Sequence, residues 1–368
     1  MNIVRLLVLV IFGFAQVSVA EVDCSKMSTN ELNQALISAV ERGCFDQVQK
    51  LLAAGADING EITVTGSHGR GEGCMDYRTD YKLLEYASLY GYIDIVRELI
   101  KAGAGNCPDA VYPSLIGAAR QGHLDLLREL IIVAANLKHP DWAAADLLIN
   151  KALVAAAYEG QLDVMLELIK AGANINYVHG YLETTALIEA AEQGHVDVVK
   201  ELVKMGADLN YVDKNGEAAL FKAVKRGRLD VVKELIGAGA YVNLANRAGD
   251  TALMYAIKEH NFDLVQSLLL SLEFHPGIWQ LIKELFLHSE HKPINYADKD
   301  GNTALILAIK NLKYRYFEGD KREYNDCVNS QRILEELLNF PGVDHHHVNK
   351  KGETAIILLE ELQRKQNR

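Results

Sequence analysis

From Thr184 to Asn243 the chain repeats itself at a fixed step, and no other feature restricts its fold as much. Leu187 recurs as Leu220 and Leu253, Gly194 as Gly227, Asp197 as Asp230 and Asp263, and Asn210 as Asn243, each step being 33 residues. A period in this range marks a stacked array, in which each unit buries an apolar face that only its neighbours can cover. Inside the unit, Leu187, Ala190 and Ala191 fall at i, i+3 and i+4, one face of a short helix. Gly194 ends that helix, because glycine enters the left-handed region without a Cβ clash. Val198, Val199, Leu202 and Val203 give a second apolar helix face that stops at Gly206. The first helix is slim with alanine and the second bulky with valine and leucine. Stacked pairs should therefore form wedges, with the array curving around its alanine-rich helices.

The unit resembles the ankyrin repeat. The family's Thr-Pro-Leu-His start survives as Thr251-Ala252-Leu253-Met254 and Thr303-Ala304-Leu305-Ile306, and its Gly-Ala-Asp-x-Asn end as Gly206-Ala207-Asp208-Leu209-Asn210. The resemblance runs from about Asn30 to Leu362 and implies an all-α ankyrin-repeat solenoid of about eight repeats plus a C-terminal capping helix. Proline and histidine of the start motif are replaced by Ala and by Ile188, Phe221, Met254 or Ile306, while threonine persists at Thr185, Thr251, Thr303 and Thr354. The hydrogen bonds the family's histidine makes between repeats must then be absent or replaced. In the seventh unit His260 takes the place of the helix-ending glycine, a strained turn that histidine tolerates better than most residues.

Residues 1–20 have the form of an export signal: Arg5, an apolar Leu6–Ala15 run, and the small residues Ser18-Val19-Ala20 before a cleavage point. The mature solenoid is expected to span 21–368, with insertions near 60–80, 137–147, 272–293 and 311–330. The glycine-rich Thr65–Cys74 stretch lacks the Lys-Ser/Thr of a phosphate loop and a strand to lead into it, so it reads as a flexible insertion. Helical spacing at Ile278, Leu281, Ile282, Leu285 and Phe286 marks an extra helix. Export would expose the five cysteines to oxidation; Cys74 with Cys107 is the expected pair, and five free thiols are the alternative. The destination is periplasmic or secreted, with no membrane attachment after cleavage.

A net charge of −11 with no basic stripe argues against nucleic acid as partner, since phosphate binding needs clustered Lys and Arg. No nucleophile motif, zinc-protease motif or dinucleotide fingerprint occurs, and no cofactor or metal is expected. The aspartates at 94, 125, 163, 197, 230 and 263 recur near a helix start, where they favour the dipole rather than catalysis. By register, His345-His346-His347 falls where Leu209-Asn210-Tyr211 stands elsewhere, in a turn whose side chains diverge. A hydrolase or metal-dependent enzyme built on that tract and the insertions is the rival reading.

The resemblance implies instead that a partner protein binds a concave groove, with the chain acting as a monomer. Its walls would be the residues that vary just before each glycine: Tyr90, then Arg120 and Gln121, then Tyr158 and Glu159. Glu192 and Gln193, Lys225 and Arg226, and Lys258 and Glu259 continue the series. Tyr181, Lys214, Asn215, Arg247 and Asp250 would lie on the adjoining loops. Trp142 and Trp279 fall in insertions, where each is expected to pack an added helix. The Lys313–Tyr324 stretch mixes aromatics with both charges, which fits a protein contact or a lengthened helix.

Overall fold

The computed structural model describes residues 27–68, 75–137, 142–273, 295, 297–317, 324–339 and 343–366. The export signal, Cys74, the 278–286 segment and Trp279 lie outside the described residues. The chain divides into two compact units, one made of residues to Ala87 with Tyr92–Ala110, the other of Ser88–Gly91 and Val111 onward.

The first unit holds helices α1 (Thr29–Glu41) and α2 (Phe45–Ala53), strands β1 (Glu61–His68) and β2 (Met75–Lys82), most of α3 (Leu83–Leu89), and α4 (Ile93–Lys101). A reciprocal cap starts α1: the Glu31 N–H donates to Ser28 Oγ at 3.4 Å, and the Ser28 N–H to Glu31 Oε2 at 2.8 Å. That second bond holds the Glu31 carboxyl below the usual range. Of the insertion expected to be flexible, Thr65 to His68 belong to strand β1, which pairs antiparallel with β2 from Glu61 opposite Lys82 to His68 opposite Met75, and residues 69–74 lie outside the described residues. The β-branched run Ile62-Thr63-Val64-Thr65 favours a pleated strand, and alternation puts Ile62 inside at 1% exposure while Thr63 Oγ1 donates across to Asp80 Oδ1. The glycines mask the signal of those β-branched residues.

The second unit is a row of helix pairs. Its first helices are α5 (Pro108–Gln121, from Val111), α7 (Trp142–Glu159), α9 (Ala186–Gln193), α11 (Ala219–Lys225), α13 (Ala252–Lys258), α15 (Ala304–Phe317) and α17 (Ala355–Gln366). Between them stand the second helices α6 (Leu124–Asn136), α8 (Leu162–Lys170), α10 (Val196–Lys204), α12 (Leu229–Gly237), α14 (Phe262–Glu273) and α16 (Tyr324–Asn339). From α7 to α17 each first helix packs on the next first helix, and from α6 to α16 each second helix on the next second helix. The core lies between these two layers. Val198, Val199 and Leu202 of α10 and Val231, Val232 and Leu235 of α12 are essentially fully buried against Ala190, Ala191 and Ala223 of the slim layer.

The surviving threonines do cap: Thr185, Thr251, Thr303 and Thr354 each accept from the N–H three residues on, at 3.2–3.4 Å. The six recurrent aspartates sit in first turns of second helices. His260 has φ 55°, the left-handed turn its register required. The 311–330 insertion lengthens α15 and α16 to 14 and 16 residues, and Trp142 opens the 18-residue α7. Among the described residues no helix is long and apolar enough to cross a membrane.

Candidate functional site

What joins one repeat to the next is the residue just after each helix-ending glycine. The His195 ring, at the head of α10, donates its Nε2 proton to the Tyr158 carbonyl of the preceding repeat at 2.9 Å. His123 Nε2 makes the same bond to the Leu89 carbonyl, Gln161 Nε2 donates to Arg120 O, and Arg228 Nε to Glu192 O, each at 3.3 Å. These bonds satisfy carbonyls at the ends of the first helices, which a helix leaves orphaned. They take over the bridging task of the missing start-motif histidine. They also explain Gly160: a Cβ there would stand 2.5 Å from His195 Nδ1, and φ is 77°. The last residues of α7 and α9 are thereby pinned by their own backbone, with their side chains left free to vary.

Those side chains meet across repeats. Arg226, just past the end of α11, bonds Glu192 of α9 through Nη2 at 2.7 Å and Nε at 3.0 Å, and Arg120 of α5 approaches Glu159 of α7 at 3.9 Å. Lys225 bonds Glu217 at 2.8 Å, and Lys258 bonds Asp250 at 2.6 Å. The charged residues of these helix ends thus form a set of internal ion pairs. Tyr158 is exposed beside them, as is Tyr90 at the end of α3. Gln121, Gln193 and Glu259 extend the same helix ends, with Gln121 and Glu259 open to solvent.

Lys222, one turn inward on α11, carries no mark in the sequence that would single it out. Its side chain is only 10% exposed, and its Nζ stands 3.0 Å from Glu217, 3.1 Å from Asp213 and 3.5 Å from Glu192. Burial works against its charge, but the Glu217 and Asp213 carboxylates outweigh it and raise its pKa above the ordinary lysine value. Its neighbour Glu189 is pushed upward, mainly by burial. Removing one partner from such a cluster is expensive, because the others stay buried and uncompensated. This cluster fixes α9, α11 and the Asp213–Glu217 loop as one body.

On the loops, the Lys214 ammonium lies 2.9 Å from the centre of the Tyr181 ring, which is 81% exposed. Lys214 and Arg247 each donate a backbone N–H to the preceding loop, at Leu182 and Asn215. The candidate residues therefore fall on two adjoining strips, helix ends and loop tips. The histidine tract keeps the register assigned to it: Asp344 N–H donates to Asn295 Oδ1, and His346 N–H to Asp344 Oδ1, repeating the pattern of Asp208 on Asn176 and Asn210 on Asp208. The His347 ring turns to the Gly301 carbonyl at 3.0 Å while His346 is exposed. Among the described residues no cluster of three metal-ligating side chains occurs. Cys107 is half-buried; Cys74, its expected partner, lies outside the described residues.

The family model described as ankyrin repeats (3 copies) matches residues 115–213 and 187–278. No curated protein matches the chain. The matched segment covers α7 to α13 and the paired helix ends just described, so the 33-residue period, the two helix layers and the family match agree. Over these residues the chain matches the ankyrin-repeat model, and its paired helices have the all-α architecture of an ankyrin-type solenoid.

Proposed function

We propose that this chain is a non-catalytic adaptor that binds a partner protein along the ends of its first helices and the adjoining loop tips. Function in a repeat frame resides where residues vary while the frame recurs. The observation that carries the reading is the register of Tyr90, Tyr158 and the Glu192–Arg226 pair. Tyr158 and Glu192 stand two residues before the helix-ending glycine of their repeats and Tyr90 and Arg226 one residue before it, exposed or half-buried, where His123, His195 and Arg228 pin the backbone from behind. A preorganised face loses less on binding, and Tyr and Arg are frequent interface anchors. Three or four repeats could bury roughly 1,600 Å². The protein acts as a monomer after export, in the periplasm or as a secreted protein, an assignment supported by Arg5, the Leu6–Ala15 run and Ser18-Val19-Ala20.

Affinity capture from the native compartment, with identification of the partner, tests this. Tyr158→Ala should weaken the captured complex by roughly tenfold or more, and it leaves the Tyr158 carbonyl available to His195. Wild-type affinity in that variant would contradict the assignment. The recovered chain should begin at Glu21; recovery from the cytosol with Met1 intact would contradict export.

A further inference from the structure

We propose that the loop tips of successive repeats form one basic track that receives an extended acidic segment of the partner; this rests on the protein-binding reading above. Four loops have the same turn. A side-chain oxygen of Asp213, Asn246, Asp298 or Asn349 accepts from the N–H groups two and four residues on, at 2.8–3.0 Å. The residue after each of these is Lys214, Arg247, Lys299 and Lys350, so every turn carries one cation at the same place. The turns also touch in order. A Cβ on Gly216 would stand 2.9 Å from Arg247 N, one on Gly249 3.0 Å from Lys299 N, and one on Gly301 3.1 Å from Lys350 N. Arg247 N–H and Lys350 N–H donate to the carbonyls of Asn215 and Asp300 on the preceding tips, both at 2.9 Å.

The contrast with the helix ends is what points to a ligand. There, Lys222, Lys225, Arg226, Lys258 and Lys310 each meet a carboxylate within 4 Å. On the tips, Arg247, Lys299, Lys350 and its neighbour Lys351 are exposed and meet none among the described residues, in a chain whose net charge is −11. Like charges on three successive tips are thus lined up on rigid backbone where an acidic chain could have neutralised them.

The spacing selects the occupant. Packed helices lie about 8–10 Å apart, so the cations should follow at about that interval. A polyproline-type segment rises about 3.1 Å per residue with three residues per turn. A carboxylate at every third residue would then meet one repeat after another from a single face. A nucleic-acid strand carries a phosphate about every 3.4 Å along the axis; most would fall between cations, beside the exposed Asp300.

Fluorescence anisotropy with the full chain and a labelled peptide of Glu-Pro-Pro triplets tests the track, with its Gln-Pro-Pro counterpart, single-stranded DNA and phosphatidylserine vesicles as competitors. The acidic peptide should bind about tenfold more tightly than the Gln peptide. Combining Arg247→Gln, Lys299→Gln and Lys350→Gln should remove about that factor, since exposed pairs are individually weak. Lys233→Gln, at an exposed lysine of the second helix α12, should leave peptide binding unchanged. Equal binding of the two peptides, an unaffected triple variant, or tighter binding of DNA or vesicles would overturn the track. If the peptide fails while the captured partner remains sensitive to Tyr158→Ala, the track alone is refuted and the helix-end site stands.

Discussion

At the scale of single residues, the glycine and its follower do two tasks with one pair. Gly160 must adopt φ 77° and must also leave room for His195, whereas a Cβ on Gly172, at φ 100°, would meet nothing within 4 Å. Both alanine variants carry left-handed strain of about 1 kcal/mol or more, but only Gly160→Ala also displaces the His195 ring. Urea unfolding should therefore show a larger loss for Gly160→Ala, by about 1–2 kcal/mol; equal losses would mean that the ring contact contributes nothing. The charged cluster adds a pH signature. Burial raises the Glu189 carboxyl, so its ionised form at neutral pH opposes folding, and the opposition fades as pH falls through the raised value toward about 4.3. Glu189→Gln should accordingly be more stable than wild type at pH 7 and lose that advantage near pH 4. A constant difference between the two pH values would contradict the assignment. For Lys222 the raised pKa means its support is complete at neutral pH and is lost only above about pH 10.4. The caps and glycines were legible because their type is dictated by local backbone. Lys222 was not, since it occupies the position of Glu189 and Tyr255 in other repeats and its partners come from another helix and a loop.

At the scale of elements, the second helices carry the packing and the first helices carry the variation. Leu235 of α12 is fully buried, between α10 on one side and α14 on the other. Leu235→Ala should cost about 2–5 kcal/mol in chemical denaturation, as for other truncated core leucines. A cost below about 0.5 kcal/mol would mean that the helix register is wrong. Helix pairs were readable because their apolar spacing repeats with the period. The β1–β2 hairpin was not, because the Thr65–Cys74 glycines suggested flexibility while pairing was decided by Ile62, Thr63 and Val64 on one strand and Thr79 and Tyr81 on the other. The basic loop tips were only half visible. Lys214 and Arg247 stand 33 residues apart, but Lys299 and Lys350 follow at 52 and 51, because insertions break the period while the turns still stack.

At the scale of the molecule, internal ion pairs make the helix ends nearly self-neutralising, whereas Arg247, Lys299 and Lys350 on the tips meet no carboxylate among the described residues. An interface that used both strips would take specificity from aromatic contact near Tyr158 and direction from the cation row, with charge acting mainly on the rate of encounter. Reversing Lys225 and Arg226 is a poor probe of such an interface, because it would set new carboxylates against Glu217 and Glu192. Hydrogen exchange of the full chain with and without the captured partner protein tests the binding face most directly. Added protection is expected at the ends of α7, α9, α11 and α13, near Tyr158, Glu192, Lys225 and Lys258, and on the loops that carry Lys214 and Arg247. Protection confined to the second helices α8, α10, α12 and α14, or absent throughout the repeats, would contradict the account.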